Sequence, residues 1–410
     1  MTATEKFFEK QRQPAAVFKH ALLASYVAVF GTMTSSQSAG NRVWYIDGYA
    51  GPGVYDPQPG DAEGQVGSPV LALRTARRLA TFTKNPRSLH CAFIEMDKGY
   101  AAKLESVMAE RAFPGFNYRV LQGSVEQHLD AVVTEVGNDP LLTFLDPFGT
   151  SLPWAQMKKT LFGRPKTAAN EVLLNMNLDS LRRIGGLLGK SDTSSPGDQK
   201  TLARLDTFLG DAYWRDVFVK HYRADSPGSA TVAALEVAEQ FRMRVLRETG
   251  YRSFTVPIRR HIDHEPIFLM TLFFTYPVAA YKFADAASSA SASWRKSINE
   301  EERRRDASLY SNTLFGDDFN VQTFEDKWKR NEELLQAEWE KLIADNIVAL
   351  LVTRAQFTVL DHLQEIYGPT LGLAREKHLR AAWKSLANQG KVLAPPAGPL
   401  WSAVIRRATR

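Results

Sequence analysis

Residues 44–53, W-Y-I-D-G-Y-A-G-P-G, set the narrowest limit on what this chain can fold into. An apolar run halts at Asp47, and Gly48, Gly51 and Gly53 follow at once. A buried strand that stops in this way must bend its chain tightly. Glycine allows positive φ there and lets backbone approach a small ligand closely. The segment reads as the nucleotide-side corner of a doubly wound α/β domain. Two later apolar runs behave alike, 90–94 stopping at Glu95 and 141–145 at Asp146.

The intervening sequence supports this reading. Apolar runs at 43–46, 90–94, 118–121, 141–145 and 172–176 are spaced as strands, with helical patterns near 68–79, 98–111 and 125–136 between the first four. Ser68 and Pro69 read as a cap and a first-turn proline for the first of those helices. Such alternation predicts a parallel sheet with both faces covered. The runs 255–260 and 267–275 are too close for a helical crossover and predict an antiparallel hairpin. A parallel sheet closed by an antiparallel last strand is the methyltransferase variant of the doubly wound fold rather than the dehydrogenase one.

The chain has 410 residues, too many for one ordinary domain. Four regions are expected: an N-terminal helical cap over 1–41, the Rossmann-like domain over 42–284 with a helical insertion near 180–230, a helical linker over 285–352, and a winged-helix-like module over 353–410. In that last module Leu379, Trp383 and Leu386 mark a third helix and Gly390 ends it. Residues 392–393 and 400–401 then flank a Pro/Gly turn. Residues 351–410 hold nine Lys/Arg against three acids, which equals the net charge of +6 for the whole chain. A basic winged helix can engage nucleic acid, or it can pack a protein. The polar segment 1–13 has no apolar core of a signal-peptide type, and no apolar run of ~18 residues stands out. A single cysteine, Cys91, excludes an internal disulfide. A cytoplasmic location is expected.

The candidate site follows from the strand ends. The 44–53 turn is not the G-x-G-x-x-G that opens a helix and holds a dinucleotide pyrophosphate. Asp47 would repel phosphate but could receive the methionine ammonium of S-adenosylmethionine. Gly48, Tyr49, Gly51 and Gly53 would line the cofactor's path. Glu95 could accept both ribose hydroxyls, with Asp97 as the substitute if the strand end shifts. Ser124, after the third strand, would lie near the adenine. Asp146, Pro147 and Phe148 make an acid-Pro-aromatic turn at the carboxyl edge of the sheet. Its carboxylate and proline carbonyl could accept from an NH2 group while Phe148 stacks on a planar base. The same turn also reads as plain strand-end punctuation. The 54–67 loop has the length of a lid. His20 and the cluster His261, Asp263, His264 and Glu265 favour surface or packing roles, and no metal site is expected.

Several of these stretches resemble the bacterial three-Cys-motif partner family (TcmP): Y-I-D-G-Y-A-G-P-G, G-S-P-V-L-A-L, F-I-E-M-D, F-L-D-P-F-G and W-R-K-S-I-N-E. The resemblance covers most of residues 15–310. It implies a Rossmann-type, methyltransferase-like fold and a three-Cys-motif partner protein. D-P-F-G is also similar to a motif of tRNA guanine-N2 dimethyltransferases, and by type to the D-P-P-Y/F of amino-methylating enzymes. The chain departs from the latter at Phe148-Gly149. The expectation is an S-adenosylmethionine-dependent N-methyltransferase acting on DNA or RNA. The alternatives are a non-catalytic nucleotide-binding partner protein, or a methyltransferase of a peptide or protein.

Overall fold

The computed structural model describes residues 14–55, 65–82, 84–147, 152–189, 195–223, 228–311 and 321–408, with backbone alone at 306–311 and 321–324. The chain divides into two compact units, one built on Leu23–Tyr276 and the other on Pro277–Arg410 with Ala16–Leu22.

The first unit is built around a seven-stranded sheet. Its strands are β1 (Arg42–Asp47), β2 (Ser88–Glu95), β3 (Asn117–Gln122), β4 (Leu141–Leu145), β5 (Asn170–Asn177), β6 (Arg252–Ile258) and β7 (Phe268–Phe274). They lie in the order β3-β2-β1-β4-β5-β7-β6. β7 is antiparallel to β5 and β6, and the pairs β1–β2, β1–β4, β2–β3 and β4–β5 are parallel. This is the class I methyltransferase-like Rossmann arrangement. β4, L-L-T-F-L, is buried along its whole length, as a central parallel strand covered on both faces must be.

The helices are α1 (Pro14–Thr34), α2 (Ser68–Ala80), α3 (Lys98–Arg111), α4 (Val125–Val136), α5 (Leu178–Gly185), α6 (Pro196–Leu209), α7 (Tyr213–Arg223) and α8 (Ser229–Thr249). α2 has proline in its first turn and Arg77 and Arg78 in its last, where cations complement the helix dipole. Its cap, however, is Gly67, because the Ser68 hydroxyl is turned to Asp47 instead. Between β4 and β5 a short turn, Trp154–Gln156, runs into a π-turn, Met157–Leu161. One sheet face packs Trp44, Ile46, Ile94, Leu141 and Val172 against α4, and the same core takes in Phe208, Trp214 and Phe241 from α6, α7 and α8.

Among the described residues, one helix, Pro14–Gln37, is long and apolar enough to cross a membrane by length and composition, contrary to the expectation that no such run exists. Its apolarity has a packing explanation within the first unit. Leu23, Tyr26, Val27 and Phe30 are buried, and the Tyr26 hydroxyl donates to Glu171 at 2.8 Å.

The second unit contains α9 (Val278–Ser311), α10 (Val321–Thr353), β8 (Gln356–Thr358), α11 (Leu363–Tyr367), α12 (Glu376–Asn388) and β9 (Val404–Arg406). α10 buries Trp339, Ile343, Ile347 and Leu351, a four-residue spacing that lines one helix face. Arg295 grips Glu332 with two hydrogen bonds, 2.6 and 2.9 Å long, tying α9 to α10. The terminal hairpin differs from the expected one. Residues 400–401 form a turn, and it is β9 that pairs with β8, while Val392 bridges Arg407. The V-I-R run at 404–406 is short and was hidden by the more apolar residues before it.

Glu171 yields a test of this packing. Burial pushes its carboxyl up to about 7 from 4.5, against the pull of the Tyr26 hydroxyl. Between those values the folded state holds a proton that the unfolded state has released, so stability falls as pH rises and levels off above about 7. Glu171→Gln keeps an acceptor for Tyr26 and removes the charge. It should flatten that slope by up to ~3 kcal/mol between pH 5 and 8 in urea titrations. An unchanged slope would remove Glu171 as its source.

Candidate functional site

Strand register gathers the site. In β1–β2 pairing Asp47 is opposite Phe93, and in β1–β4 pairing it is opposite Phe144. In β4–β5 pairing Phe144 is opposite Leu173. Side chains alternate along each strand, so Asp47, Glu95, Asp146 and Asn175 rise from the same sheet face at its carboxyl edge. Three carboxylates from separate strands therefore share one crevice.

The glycine turn is stitched to the strands on either side. Gly48 N donates to the Phe144 carbonyl at 2.9 Å, and Ala50 N donates to the Ile94 carbonyl at 3.0 Å. Gly51 N donates to Glu95 Oε2 and Asp97 N to Glu95 Oε1, both at 2.8 Å. Asp97 is itself the cap of α3, accepting from Tyr100 N, so Glu95 alone terminates β2 facing the turn. Gly51 and Gly53 have φ of +66° and +76°. A Cβ on Gly53 would sit 2.7 Å from Leu104. The loop that follows is pinched at its base: Val54 bridges Val66, Tyr55 N donates to Gln65, and Gly67 N donates to Gly53 at 2.7 Å. Its tip, 56–64, lies outside the described residues.

Asp47 is wholly buried. It accepts from Tyr49 N at 3.2 Å, from the Tyr45 hydroxyl at 3.5 Å and from the Ser68 hydroxyl. Burial raises its carboxyl to about 7, the Ser68 and Tyr49 bonds oppose the rise, and Asp146 and Glu95 add to it. The Tyr55 phenol is also raised, chiefly by burial and then by the charges of Asp146, Asp47 and Glu95. Tyr55 thus stands among all three acids, with its hydroxyl 3.2 Å from where a Gly51 Cβ would be.

At the opposite side Asp146 Oδ1 accepts from Asn175 Nδ2 at 2.6 Å, and Pro147 is buried. Phe148 and Gly149 lie outside the described residues. Ser124 caps α4, its amide held by Gln127 Oε1 at 2.8 Å. His20 falls in the segment Ala16–Leu22, grouped with the second unit. Among the described residues no three His, Cys, Asp or Glu side chains form a metal-binding group. Glu265 of the polar 261–265 segment is taken by Arg182 at 3.1 Å. Sequence reasoning missed Ser68 as a partner of Asp47, and missed Tyr55 and Asn175. The signal for Asn175 was present: it is a lone amide inside V-L-L-N-M.

The crevice offers acceptors and positive-φ glycines. It fits the ammonium, the ribose diol and the sulfonium of an adenosyl-sulfonium cofactor by charge and hydrogen-bonding type. It does not fit a pyrophosphate, which the three carboxylates would repel.

No protein-family model and no curated protein sequence matches the chain. Solved structures similar to it include a candidate caffeoyl-CoA O-methyltransferase from Staphylococcus aureus, at 10% identity over 57% of this chain and 77% of that one, TM-score 0.26. Another is a Legionella pneumophila protein of the DUF519 family, at 12% identity over 65% and 86%, TM-score 0.34. At these scores the likeness adds nothing to strand order and pairing direction, which define the fold directly.

Gly53 tests the turn. Gly53→Ala forces a side chain into left-handed backbone and against Leu104, so it should lower stability by ~1–3 kcal/mol. Chemical denaturation reads the loss; a neutral result would mean that the turn relaxes freely.

Proposed function

We propose that the chain is an S-adenosylmethionine-dependent N-methyltransferase acting on nucleic acid. The observation that carries this reading is the single sheet face bearing Asp47, Glu95 and Asp146 beside the glycine turn. S-adenosylmethionine supplies an already activated methyl group, which leaves positioning as the protein's main task. Asp47 with Gly48, Tyr49, Gly51 and Gly53 would hold the methionine portion. Glu95 would hold the ribose, and Ser124 would border the adenine. Asp146 and Pro147, with Phe148, would present the target nitrogen. The resemblance to the TcmP family is compatible with this assignment and adds a three-Cys-motif protein as a partner.

The second unit supports the choice of nucleic acid. The element order α10–β8–α11–α12–β9 is compatible with a winged helix, in which α12 would be the groove reader. Arg380 donates to the carbonyls of Pro396 at 2.6 Å and Gly398 at 2.7 Å, shaping the turn after α12. Lys384, Lys391 and Arg406 are exposed on α12, after it and on β9.

Two measurements test the reading. With tritiated S-adenosylmethionine and mixed DNA, RNA and protein acceptors, the wild type should label nucleic acid. Asp146→Ala should cut labelling by at least ~100-fold while its melting curve stays cooperative. Labelling unchanged by that substitution sinks the assignment. Cofactor binding without any transfer favours a sensor, and salt-insensitive labelling of protein alone removes the nucleic-acid substrate. Separately, Lys384→Glu with Lys391→Glu should weaken duplex binding by about tenfold or more and reduce the slope of log affinity against log salt by about 2, read by fluorescence anisotropy.

A further inference from the structure

Between Glu63 and Glu95 the chain carries Arg74, Arg77, Arg78, Lys84 and Arg87 and no acid. Among the described residues none of these five cations pairs with a carboxylate. Arg74, Arg77 and Arg78 are exposed on α2. The last two complement the helix dipole, but Arg74 lies a turn too early for that and repels both. The loop after α2 folds back on its last turn, where Arg87 N donates to the Leu79 carbonyl at 3.1 Å. The Arg87 guanidinium lies over the ring of Phe82, 4.3 Å from its centre. Phe82 is still 41% exposed, so the cation covers one side of the ring and much of the rest meets solvent. Arg77 links α2 to a second group of rings. It donates to the Arg111 carbonyl at 3.2 Å and lies 5.5 Å from the centre of Phe113. Phe113, Phe116 and Tyr118 form a row of half-buried rings, stacked at 5.5 Å spacings with planes 22° and 21° apart. The acids nearby on α3 are Glu105, close to Tyr118, and Glu110, next to Arg111, too few to neutralise the face.

We infer that this face of the first unit binds single-stranded nucleic acid. Unpaired cations attract any polyanion and supply salt-dependent contacts to phosphate. The rings decide which polyanion. A single strand offers the flat faces of its bases, which stack on aromatic side chains beside arginine. A duplex keeps those faces covered. An acidic protein would use the cations and leave the exposed Phe82 ring without a role. The face lies where β2 and β3 begin, whereas the crevice lies where the strands end. The eight residues of β2 put about 25 Å between the two. The face is therefore a tether for the strand and not the mouth of the crevice. It belongs to the first unit alone, and it stands or falls independently of methyl transfer and of the winged helix.

The test uses the full chain carrying Lys384→Glu and Lys391→Glu, included to suppress binding by the second unit. Its affinity for a fluorescein-labelled oligothymidylate of about 20 nucleotides is read by anisotropy at several salt concentrations. This parent should bind the oligonucleotide more tightly than a duplex of equal length. Adding Arg74→Gln and Arg78→Gln should weaken binding about tenfold or more and lower the slope of log affinity against log salt by about 1.4. Phe82→Ala should weaken binding about fivefold or more with the slope unchanged, and Phe82→Tyr should restore it. Phe82→Leu serves if the alanine variant does not melt cooperatively. In all of these variants S-adenosylmethionine affinity, read by calorimetry, should stay within about twofold of the parent. A parent that does not bind the oligonucleotide, or binding unchanged by the arginine substitutions, overturns the inference. Loss in the arginine variant alone also overturns it, and displacement of the oligonucleotide by polyglutamate would then assign the face to an acidic protein. Failure of the wild type to bind S-adenosylmethionine would sink the crevice reading and leave this one intact.

Discussion

The Glu95 carboxylate is the tie on which the site's geometry depends. One oxygen takes the amide of Gly51 and the other that of Asp97. The first bond pins the left-handed glycine turn to the end of β2, and the second pins the start of α3 to the same point. Without the Gly51 bond the turn would keep only the Ala50 amide on the Ile94 carbonyl as its tie to β2. The pairing of β1 with β2 and β4 at once fixes where Asp47 stands relative to Asp146. A carboxylate that accepts two backbone amides still has lone pairs directed outward, so structural support and ligand binding are not exclusive in this residue.

Much of this was legible in the chain because strand ends leave strong marks. Apolar runs stopping at Asp47, Glu95 and Asp146 located three strand termini, and the close spacing of the last two runs foretold the antiparallel closure. What the sequence could not express was lateral register. Asn175 has no motif around it; its meaning comes from pairing between β4 and β5, which sets it beside Asp146. Ser68 looked like a helix cap because serine before proline commonly is one. The turn instead brings Gly67 to the cap and the serine hydroxyl to a buried acid, where an unmet charge would cost more than an unmet cap. Tyr55 was hidden in a glycine- and proline-rich loop whose composition says nothing of a buried phenol among three acids. In the second unit the shortness of β8 and β9 defeated periodicity, which needs several residues to register.

The acids also carry an energetic argument about what the crevice is for. Asp47 sits in full burial with two other carboxylates near it, and its proton is held up to about pH 7. An acid kept there only for structure would be better served by asparagine, which satisfies the same amide and hydroxyl donors through its oxygen with no charge to desolvate. The carboxylate becomes favourable when a cation shares the crevice, since the attraction offsets desolvation and lowers the acid's proton affinity. Binding of a cation and loss of a proton are then linked: near neutral pH, a ligand carrying an ammonium draws Asp47 into its charged form as it enters. Glu171, raised to a similar value, lacks this logic. It lies toward the opposite end of β5, is bonded to Tyr26, and its burial is explained by packing alone. Two acids of like titration thus differ in meaning because only one has glycine backbone and further carboxylates around it.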